Sequence, residues 1–312
     1  MFSNQRAVFA SSWWLDATAG EDSWGICEIK QNNEVVASMP WVLKHRFGLR
    51  IISQPQLTQT LGPWLSDAPI GTKYARRLAR EKDLMEELID QLPPYHFFSQ
   101  SFAPEITNWL PFYWKGFQQT TRYTYRLTEL SCQEQLWSGL QDKIRTDIRK
   151  AKKNGVTVER SSDIHAFLDV NEKTFERQGL RLPYSRSFIE RLHNACQANN
   201  ASTIFIARGA DGAVHAANYI VWNDHCAYYL MGGGDPLLRN SGATSLAMWE
   251  AIMFSASISG IFDFEGSMIE PVERFIRGFG AIQTPYFAIS HTNSRRLAAV
   301  KAARTVLQAC KC

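Results

Sequence analysis

A repeated order of strand-like and helix-like segments constrains the fold of this chain more than any other feature. Three strand-like runs lie within residues 24–53, with short turns at residues 32–34 and 47–48. Three more lie within residues 202–233 and are separated by turns rich in Gly, Asn and Asp. Strand-like runs between such turns are typical of antiparallel meanders. The sequence therefore predicts two separate antiparallel meanders.

The segments that follow the two meanders also correspond. In the first copy, a charged helix is predicted over residues 74–91 and strands over residues 95–100 and 121–128. In the second copy, helices are predicted over residues 242–259 and 269–278, and strands over residues 261–264 and 282–290. We therefore predict an α/β (α+β) chain of two tandem units, residues 1–125 and 126–312, each with a mixed, mostly antiparallel sheet flanked by helices.

The region between the copies is predicted to be largely helical. Gly155 ends a basic helical segment, and Ser161 or Ser162 is the expected cap of the next helix. A further helix is predicted over residues 185–198, and an amphipathic one over residues 294–308 at the chain end.

The composition is that of an ordinary globular protein, with 45% apolar and 21% charged residues. A net charge of +4 is compatible with an anionic ligand but does not require a nucleic acid. The sequence has no apolar run long enough to span a membrane and no secretory signal at its start, so a cytoplasmic location is expected. Six scattered cysteines and seven dispersed histidines form no metal-binding spacing, so we expect reduced thiols and no metal.

The stretch LLRNSGATSLAMWEAI, residues 237–252, is a candidate anion site. A turn containing Arg239 and Gly242 leads into a helix that is apolar almost all round. Free backbone N–H groups at such a helix start favour a phosphate, and Thr244 can add a hydroxyl donor. The alternative is a plain structural helix capped by Ser241.

The stretch FDFEGS, residues 262–267, places two acids at the end of a buried strand. Alternation along the strand predicts that Asp263 and Glu265 point to one side. A carboxylate at that position can accept a proton from an attacking amine. The alternative is structural, in which one acid caps the next helix or holds Arg274 or Arg277.

Two further stretches have both a functional and a structural interpretation. The run KIRTDIRKAKK, residues 143–153, is either a solvated helix, which we favour, or a docking site for phosphates or RNA. The loop SQPQLTQTLGPW, residues 53–64, offers Gln54, Gln59 and Trp64 to a substrate, or simply connects two elements.

The motifs of the second half resemble one branch of the GNAT acyltransferases, the FemAB-like branch. The resemblance rests on KIRTDIRKAKKNGVTVE, TFERQG, SRSFIERL and FDFEGSMIEPVERFIRGFG, and it covers about residues 130–290. It implies a degenerate GNAT-like unit over residues 1–125 and an acyltransferase unit over residues 126–312.

The resemblance also implies residue roles. The donor's pyrophosphate would be held by the residues that match the family's loop after its fourth strand, namely Arg239, Asn240, Gly242, Ala243 and Thr244. That loop has one glycine here, where the family has two or more. The position where family members often carry Lys is Ile276, so the anion contact would either move to Arg277 or be absent.

These implications lead to a hypothesis of N-acyl transfer from acyl-CoA to an amine, on a small molecule or a cell-envelope precursor. Asp263 or Glu265 is the expected base, and Tyr229 and Tyr286 are expected acids. One alternative is aminoacyl transfer from tRNA, although the long helical arm of such enzymes is missing from the sequence. Others are a non-catalytic GNAT-fold binding protein and a nucleic-acid binder. The acceptor and the oligomeric state are left open.

Overall fold

A computed structural model of the chain describes residues 6–177, 179–266, 268–294 and 297. These residues fall into two compact units. Unit 1 contains Met1–Arg122 and Pro285–Cys312, and unit 2 contains Tyr123–Thr284. The chain passes between the units within strands β6 and β12, whose bounds are given below.

The elements of unit 1 follow the predicted order of a meander, a helix and a strand. They are α1 (Ser12–Ala19), β1 (Trp24–Gln31), β2 (Glu34–Arg46), β3 (Leu49–Ser53), β4 (Trp64–Leu65), α2 (Tyr74–Asp90), β5 (Phe97–Ser101) and α3 (Leu110–Trp114). The turn residues Asn32, Asn33 and Phe47 have positive φ, as tight hairpin turns require. The first predicted meander is therefore present as β1, β2 and β3.

The sheet of unit 1 is mostly antiparallel, with parallel pairing only between β3 and β5 among the pairs that the structure describes. Strand β12 (Ile282–Thr292) pairs with β5 from Ala288↔Ser101 to Thr292↔Phe97. A core that includes Met39, Phe98, Phe102, Phe112 and Ile289 fills the unit.

Unit 2 begins within β6 (Gln118–Leu127) and repeats the layout with more helices. Its remaining elements are α4 (Gln133–Gly139), α5 (Asp142–Lys153), β7 (Thr157–Ser161), α6 (Ile164–Glu176), α7 (Arg186–Ala198), β8 (Ser202–Arg208), β9 (Val214–Trp222), β10 (Cys226–Gly234), α8 (Ala243–Ser255), β11 (Ile261–Asp263) and α9 (Glu270–Arg277). The predicted second meander is β8, β9 and β10.

The sheet of unit 2 runs in the order β7-β8-β9-β10-β11-β6. All of these neighbours are antiparallel except β10 and β11, which are parallel. Helix α8 is buried on nearly every side, as its all-round apolar sequence predicts, and packs against α5, β8 and β9. The predicted mixed, mostly antiparallel sheets flanked by helices are thus confirmed.

Three local expectations need correction. The cap of α6 is Asp163, whose side chain accepts from the backbone N–H groups of His165 and Ala166, rather than Ser161 or Ser162. Helix α8 begins after Gly242, which has a φ of 81°. Strand β11 ends at Asp263, because Glu265 has a φ of 56° and cannot continue the strand.

The predicted helix over residues 294–308 lies outside the described residues, apart from Ser294 and Leu297. Residues 285–294, which the sequence assigns to the second domain, fall in unit 1, because β12 pairs with β5. Strand pairing between segments so far apart in sequence has no local signal. No helix among the described residues is both long and apolar enough to cross a membrane.

Candidate active site

A gap opens between the two parallel strands of unit 2. Strands β10 and β11 pair only from Cys226↔Ile261 to Tyr228↔Asp263. Strand β10 continues to Gly234, whereas β11 ends at Asp263. The edge of β10 beyond Tyr228 therefore extends past its parallel neighbour, at the C-terminal ends of the strands, where open α/β sheets bind their ligands.

A bulge lies directly beside this gap. The register between β10 and β9 shifts between Tyr229, which pairs with Ile220, and Met231, which pairs with Tyr219. Leu230 is the extra residue and has no cross-strand partner in this register. Bulges redirect the backbone of the strand that carries them, often next to active sites. The Leu230 backbone is thus placed to offer a hydrogen-bonding group beside the gap.

Helix α6 lies against the end of β10 at unusually short range. A Cβ atom on Gly233 would be 2.6 Å from the backbone of Asn171, so only glycine permits this approach. Asn171 Nδ2 donates to the Gly232 carbonyl at 2.7 Å, and the Gly234 N–H donates to Thr174 Oγ1 at 2.9 Å. Helix α6 is therefore bonded to β10 by side chains as well as packed on it.

These two hydrogen bonds lie on the edge of β10 that faces away from β9. The Asp235 N–H donates to the His215 carbonyl of the β9 side at 2.9 Å. Backbone groups alternate between the two edges of a strand, so those of Gly232 and Gly234 point to the opposite edge. Asn171 and Thr174 thus occupy edge groups at the far end of the gap.

Two tyrosines stand beside this contact. Tyr184 Oη donates to Asn171 Oδ1 at 3.0 Å, and the Tyr229 hydroxyl lies beside Gly232. Burial raises the pKa of Tyr184 to about 12 and raises the pKa of Tyr229 as well. Both phenols therefore keep their protons at neutral pH. Tyr229 is one of the two acids predicted from the sequence, and the other, Tyr286, belongs to unit 1.

Asp263 is fully buried and its carboxylate is occupied. Its Oδ2 accepts from Arg126 Nε at 2.6 Å, and its Oδ1 accepts from the Thr124 hydroxyl and, at 2.8 Å, from the Glu265 N–H. The arginine that it holds is thus Arg126 of β6, rather than Arg274 or Arg277. These bonds make Asp263 a structural anchor between β11 and β6.

Glu265 has the opposite surroundings. Its Oε1 is buried and has no hydrogen-bond partner among the described residues. Burial, and then repulsion from Asp263, raise its pKa well above the usual value. A buried carboxyl oxygen with no partner in the described part of the chain is costly, and so is the left-handed backbone of Glu265; such strain clusters at functional sites. Of the two acids predicted as the base, Glu265 has the free oxygen.

The start of α8 holds the residues predicted to contact the donor's phosphates. Arg239 and Asn240 are exposed in a single 3-10 turn, and Gly242 lies against the carbonyl of Asp147 in α5, where a side chain would overlap. The Ala243 N–H donates to Ser241 Oγ at 3.3 Å. The structure therefore brings these residues together next to α5, with one helix-start donor already bonded to Ser241.

Comparison with known proteins agrees with this geometry. The sequence matches the family described as "Acetyltransferase (GNAT) domain" over residues 138–265, which extend from α4 through β11 to Glu265. The chain therefore contains a GNAT acetyltransferase domain, which lies within unit 2. A search of curated proteins finds no significant match.

Solved structures show that the whole chain has a FemAB-like fold. FemX has 13% identity and a TM-score of 0.66, over 90% of this chain and 91% of FemX. A Bacteroides thetaiotaomicron protein of unknown function has 14% identity and a TM-score of 0.59, over 93% of each chain. The C-terminal domain of a protein assigned as a lysylphosphatidylglycerol synthetase in Agrobacterium fabrum has 11% identity and a TM-score of 0.55, over 94% of this chain and 91% of that domain.

The predicted anion contact Arg277 lies on α9 of this GNAT protein. Its Nε donates to Glu273 Oε1 at 2.9 Å, and the same oxygen accepts from Tyr125 Oη at 2.8 Å. Ile276, where the family often has Lys, is buried. Arg277 remains about half exposed, so its role in substrate binding stays a prediction.

The predicted substrate loop of residues 53–64 lies in unit 1 and is held by its own residues. Gln54 Nε2 donates to the carbonyls of Thr58 and Gln59, and Gln54 Oε1 accepts from the Ser101 N–H at 2.8 Å. By contrast, Gln59 Nε2 is buried with no hydrogen-bond partner in the described residues. Trp64 begins β4 and packs under the Arg6 guanidinium. Gln59 is thus the loop residue with an unused donor.

The basic run of residues 143–153 forms α5, and several of its charges are paired. Lys143 contacts Asp147 at 2.9 Å, Arg145 contacts Asp142, and Lys152 contacts Glu250 at 3.4 Å. This pairing supports the solvated-helix interpretation. Within the described residues, no group of three or more His, Cys, Asp or Glu side chains is arranged to hold a metal ion.

Sequence reasoning missed several residues that shape the gap, because they are distant from FDFEGS in sequence. They are Thr124, Arg126, Asn171, Thr174, Tyr184 and Leu230. One signal was available, because three consecutive glycines at residues 232–234 indicate close approach of another backbone. The sequence carries no such signal that α6 is the helix that approaches these glycines.

Proposed function

We propose that this protein transfers an acyl group from acyl-CoA to the amine of a cell-envelope precursor. The observation that carries the proposal is the gap between β10 and β11, with the Leu230 bulge on one side and the unpartnered Glu265 carboxyl at its end. The fold shared with FemX, and with a protein whose name specifies lysyl transfer to phosphatidylglycerol, supports an acceptor of the cell envelope.

The proposed chemistry needs one base, one acid and one carbonyl-polarising donor. The Leu230 N–H donates to the donor's carbonyl oxygen as negative charge develops on it. The amine nitrogen attacks the carbonyl carbon, the C–N bond forms, and ionised Glu265 takes the amine proton. The C–S bond then breaks, and the thiolate leaves with the proton of Tyr229, whose raised pKa keeps it protonated until that step.

Arg239, Asn240 and Thr244 supply the proposed contacts to the donor's diphosphate. They lie at the start of α8, where the helix dipole also favours negative charge. Arg277, which is about half exposed on α9, would hold an anionic group of the acceptor.

A second candidate donor, an aminoacyl-tRNA, is favoured by one observation. The thiol-bearing arm of coenzyme A, if it lay extended along β10, would use the outward backbone groups of Gly232 and Gly234. Asn171 and Thr174 already bond these groups. An aminoacyl ester at the end of a tRNA does not need that strand edge. This candidate keeps the same base and acid, with a ribose oxygen as the leaving group.

Calorimetry with acetyl-CoA and coenzyme A tests the first donor. We expect micromolar binding that falls about tenfold or more in Arg239→Ala, because a charge-assisted phosphate contact is lost. Arg76→Ala is the matched control, since it removes an exposed arginine of unit 1.

The absence of binding at millimolar concentrations would overturn the acyl-CoA proposal. Transfer of a labelled amino acid from charged tRNA to an amine would then establish the second donor. Failure of both, in folded protein, would contradict the proposed chemistry.

A further inference from the structure

Three loops of unit 2 lie at one end of the sheet. Strands β10 and β11 are parallel, so the loops that follow them lie at the same edge. Helix α6 runs in the same direction as β10, because Asn171 bonds Gly232 and Thr174 bonds Gly234. The loop after α6 therefore lies at this end too. Glu265 is located here, so we call it the reaction end.

Each of the three loops exposes large apolar side chains. Leu180 follows α6 and is 53% exposed, Leu237 follows β10 and is 91% exposed, and Met268 and Ile269 follow β11 and are 68% and 64% exposed. We call these four residues the apolar rim. Single exposed apolar residues are common, but such a group at one end of a sheet indicates an interaction surface.

Unpaired cations accompany the apolar rim on two of the loops. Arg177, Arg181 and Arg239 are exposed, and none has an ion pair within the part of the chain that the structure describes. The nearby exposed acids are Glu176 and Glu270, and Glu270 is within 3.7 Å of Arg274. The reaction end therefore carries an excess of positive charge.

We infer that the apolar rim docks on an anionic phospholipid surface. Apolar side chains at the level of the lipid headgroups and arginines facing lipid phosphates are the two signals whose combination gives stable attachment. The positive charge around the rim favours this occupant over an uncharged apolar partner. Docking goes beyond the proposed function, because it requires no turnover. It would also present the reaction end to an acceptor held at the membrane.

Vesicle flotation with the full chain tests this inference. We expect the protein to float with phosphatidylcholine vesicles that contain about 30% phosphatidylglycerol, and not with phosphatidylcholine alone. The double variant Leu237→Ser, Met268→Ser should lower the bound fraction about tenfold, because two inserting side chains are lost. The double variant Arg177→Glu, Arg181→Glu should abolish the preference for the anionic vesicles.

The matched control is Ile70→Ser, which removes an equally exposed apolar residue from unit 1 and should leave flotation unchanged. Equal binding to both kinds of vesicle, no binding, or binding unaffected by the rim variants would overturn the inference. Concentration-dependent dimers that the rim variants abolish, without flotation, would assign the surface to a second copy of the chain instead. Each result is independent of whether acyl-CoA binds.

Discussion

Asp263 and Glu265 lie two residues apart, yet their carboxyl groups differ in hydrogen bonding. Asp263 accepts three hydrogen bonds, one of them from the Arg126 guanidinium, whereas Glu265 Oε1 has no partner in the described residues. Burial, and then repulsion from Asp263, raise the pKa of Glu265 well above its usual value. Asp263, held by three hydrogen bonds, therefore suits an anchor. Glu265, whose raised pKa makes its ionised carboxylate a stronger base, suits the proton acceptor that we propose.

The raised pKa of Glu265 predicts a pH-dependent stability difference. The folded chain keeps the Glu265 proton at pH values where the unfolded chain has lost it, so the free energy of unfolding falls as pH rises above about 4.5. Glu265→Gln removes this loss, because the amide does not ionise. We expect the variant to have a higher Tm than the wild type at alkaline pH, with no gain below about pH 4.5.

Thermal unfolding across the pH range measures this difference, with the exposed Glu270→Gln as control. The same Glu265→Gln protein should lose turnover by about 100-fold or more if Glu265 is the base. A Tm difference that is constant with pH would contradict the raised pKa.

The ion pair between Asp263 and Arg126 predicts a large loss of stability in Asp263→Asn. The substitution removes the carboxylate that accepts from the buried Arg126 guanidinium at 2.6 Å, and breaking such a buried pair costs about 3–5 kcal/mol. Denaturant unfolding provides the measurement. Glu159→Gln is the control, because it breaks the exposed pair with Arg208 and should cost less than about 1 kcal/mol. Equal effects would mean that the buried pair contributes no more than the exposed one.

At the scale of elements, the contact between α6 and β10 depends on one position. Gly233 lets the helix backbone lie on the strand, and Asn171 and Thr174 then bond the strand edge from both sides of that point. Helix α6, which the sequence presents only as the helix after the basic segment, thereby determines which part of the β10 edge lacks side-chain hydrogen bonds from α6.

Gly233→Ala tests this dependence. The added methyl group would lie 2.6 Å from the Asn171 backbone and must displace α6, at a cost of about 2 kcal/mol. Gly234→Ala is a matched control, because its Cβ would meet atoms at an ordinary 3.6 Å. Denaturant unfolding compares the two, and equal stabilities would show that α6 moves without cost.

At the scale of the whole molecule, the two units are not consecutive in sequence. Unit 1 takes its strand β12 from the chain that follows unit 2, and β12 pairs with β5 over five residue pairs. A fragment of residues 126–312 therefore contains β12 without its partner β5, and unpaired strand edges promote aggregation.

We expect the 126–312 fragment to be poorly soluble alone and to become soluble when it is co-expressed with residues 1–125. Size-exclusion chromatography and copurification of the two fragments provide the measurement. A fragment of residues 126–312 that unfolds cooperatively as a monomer would support the division predicted from the sequence instead.

The sequence alone determined the features that depend on local pattern. The two meanders follow from strand-like runs between tight turns, and the burial of α8 follows from its apolar residues on every side. The acids of FDFEGS and the motifs of the acyltransferase family were also visible, because each is contained in a short stretch. Local periodicity shows which side of a helix or strand is buried, and this can be inferred without knowing which element packs against it.

Tertiary structure decided which distant groups meet. Arg126 is 137 residues from Asp263 in sequence, and Asn171 is 61 residues from Gly232. The pairing of β12 with β5 and the end of β11 at Asp263 depend in the same way on register and on neighbouring strands. The sequence offered Arg274 and Arg277 as partners of an acid in FDFEGS, whereas the sheet places Arg126 beside Asp263. The strand that lies alongside therefore set which of the two acids is paired.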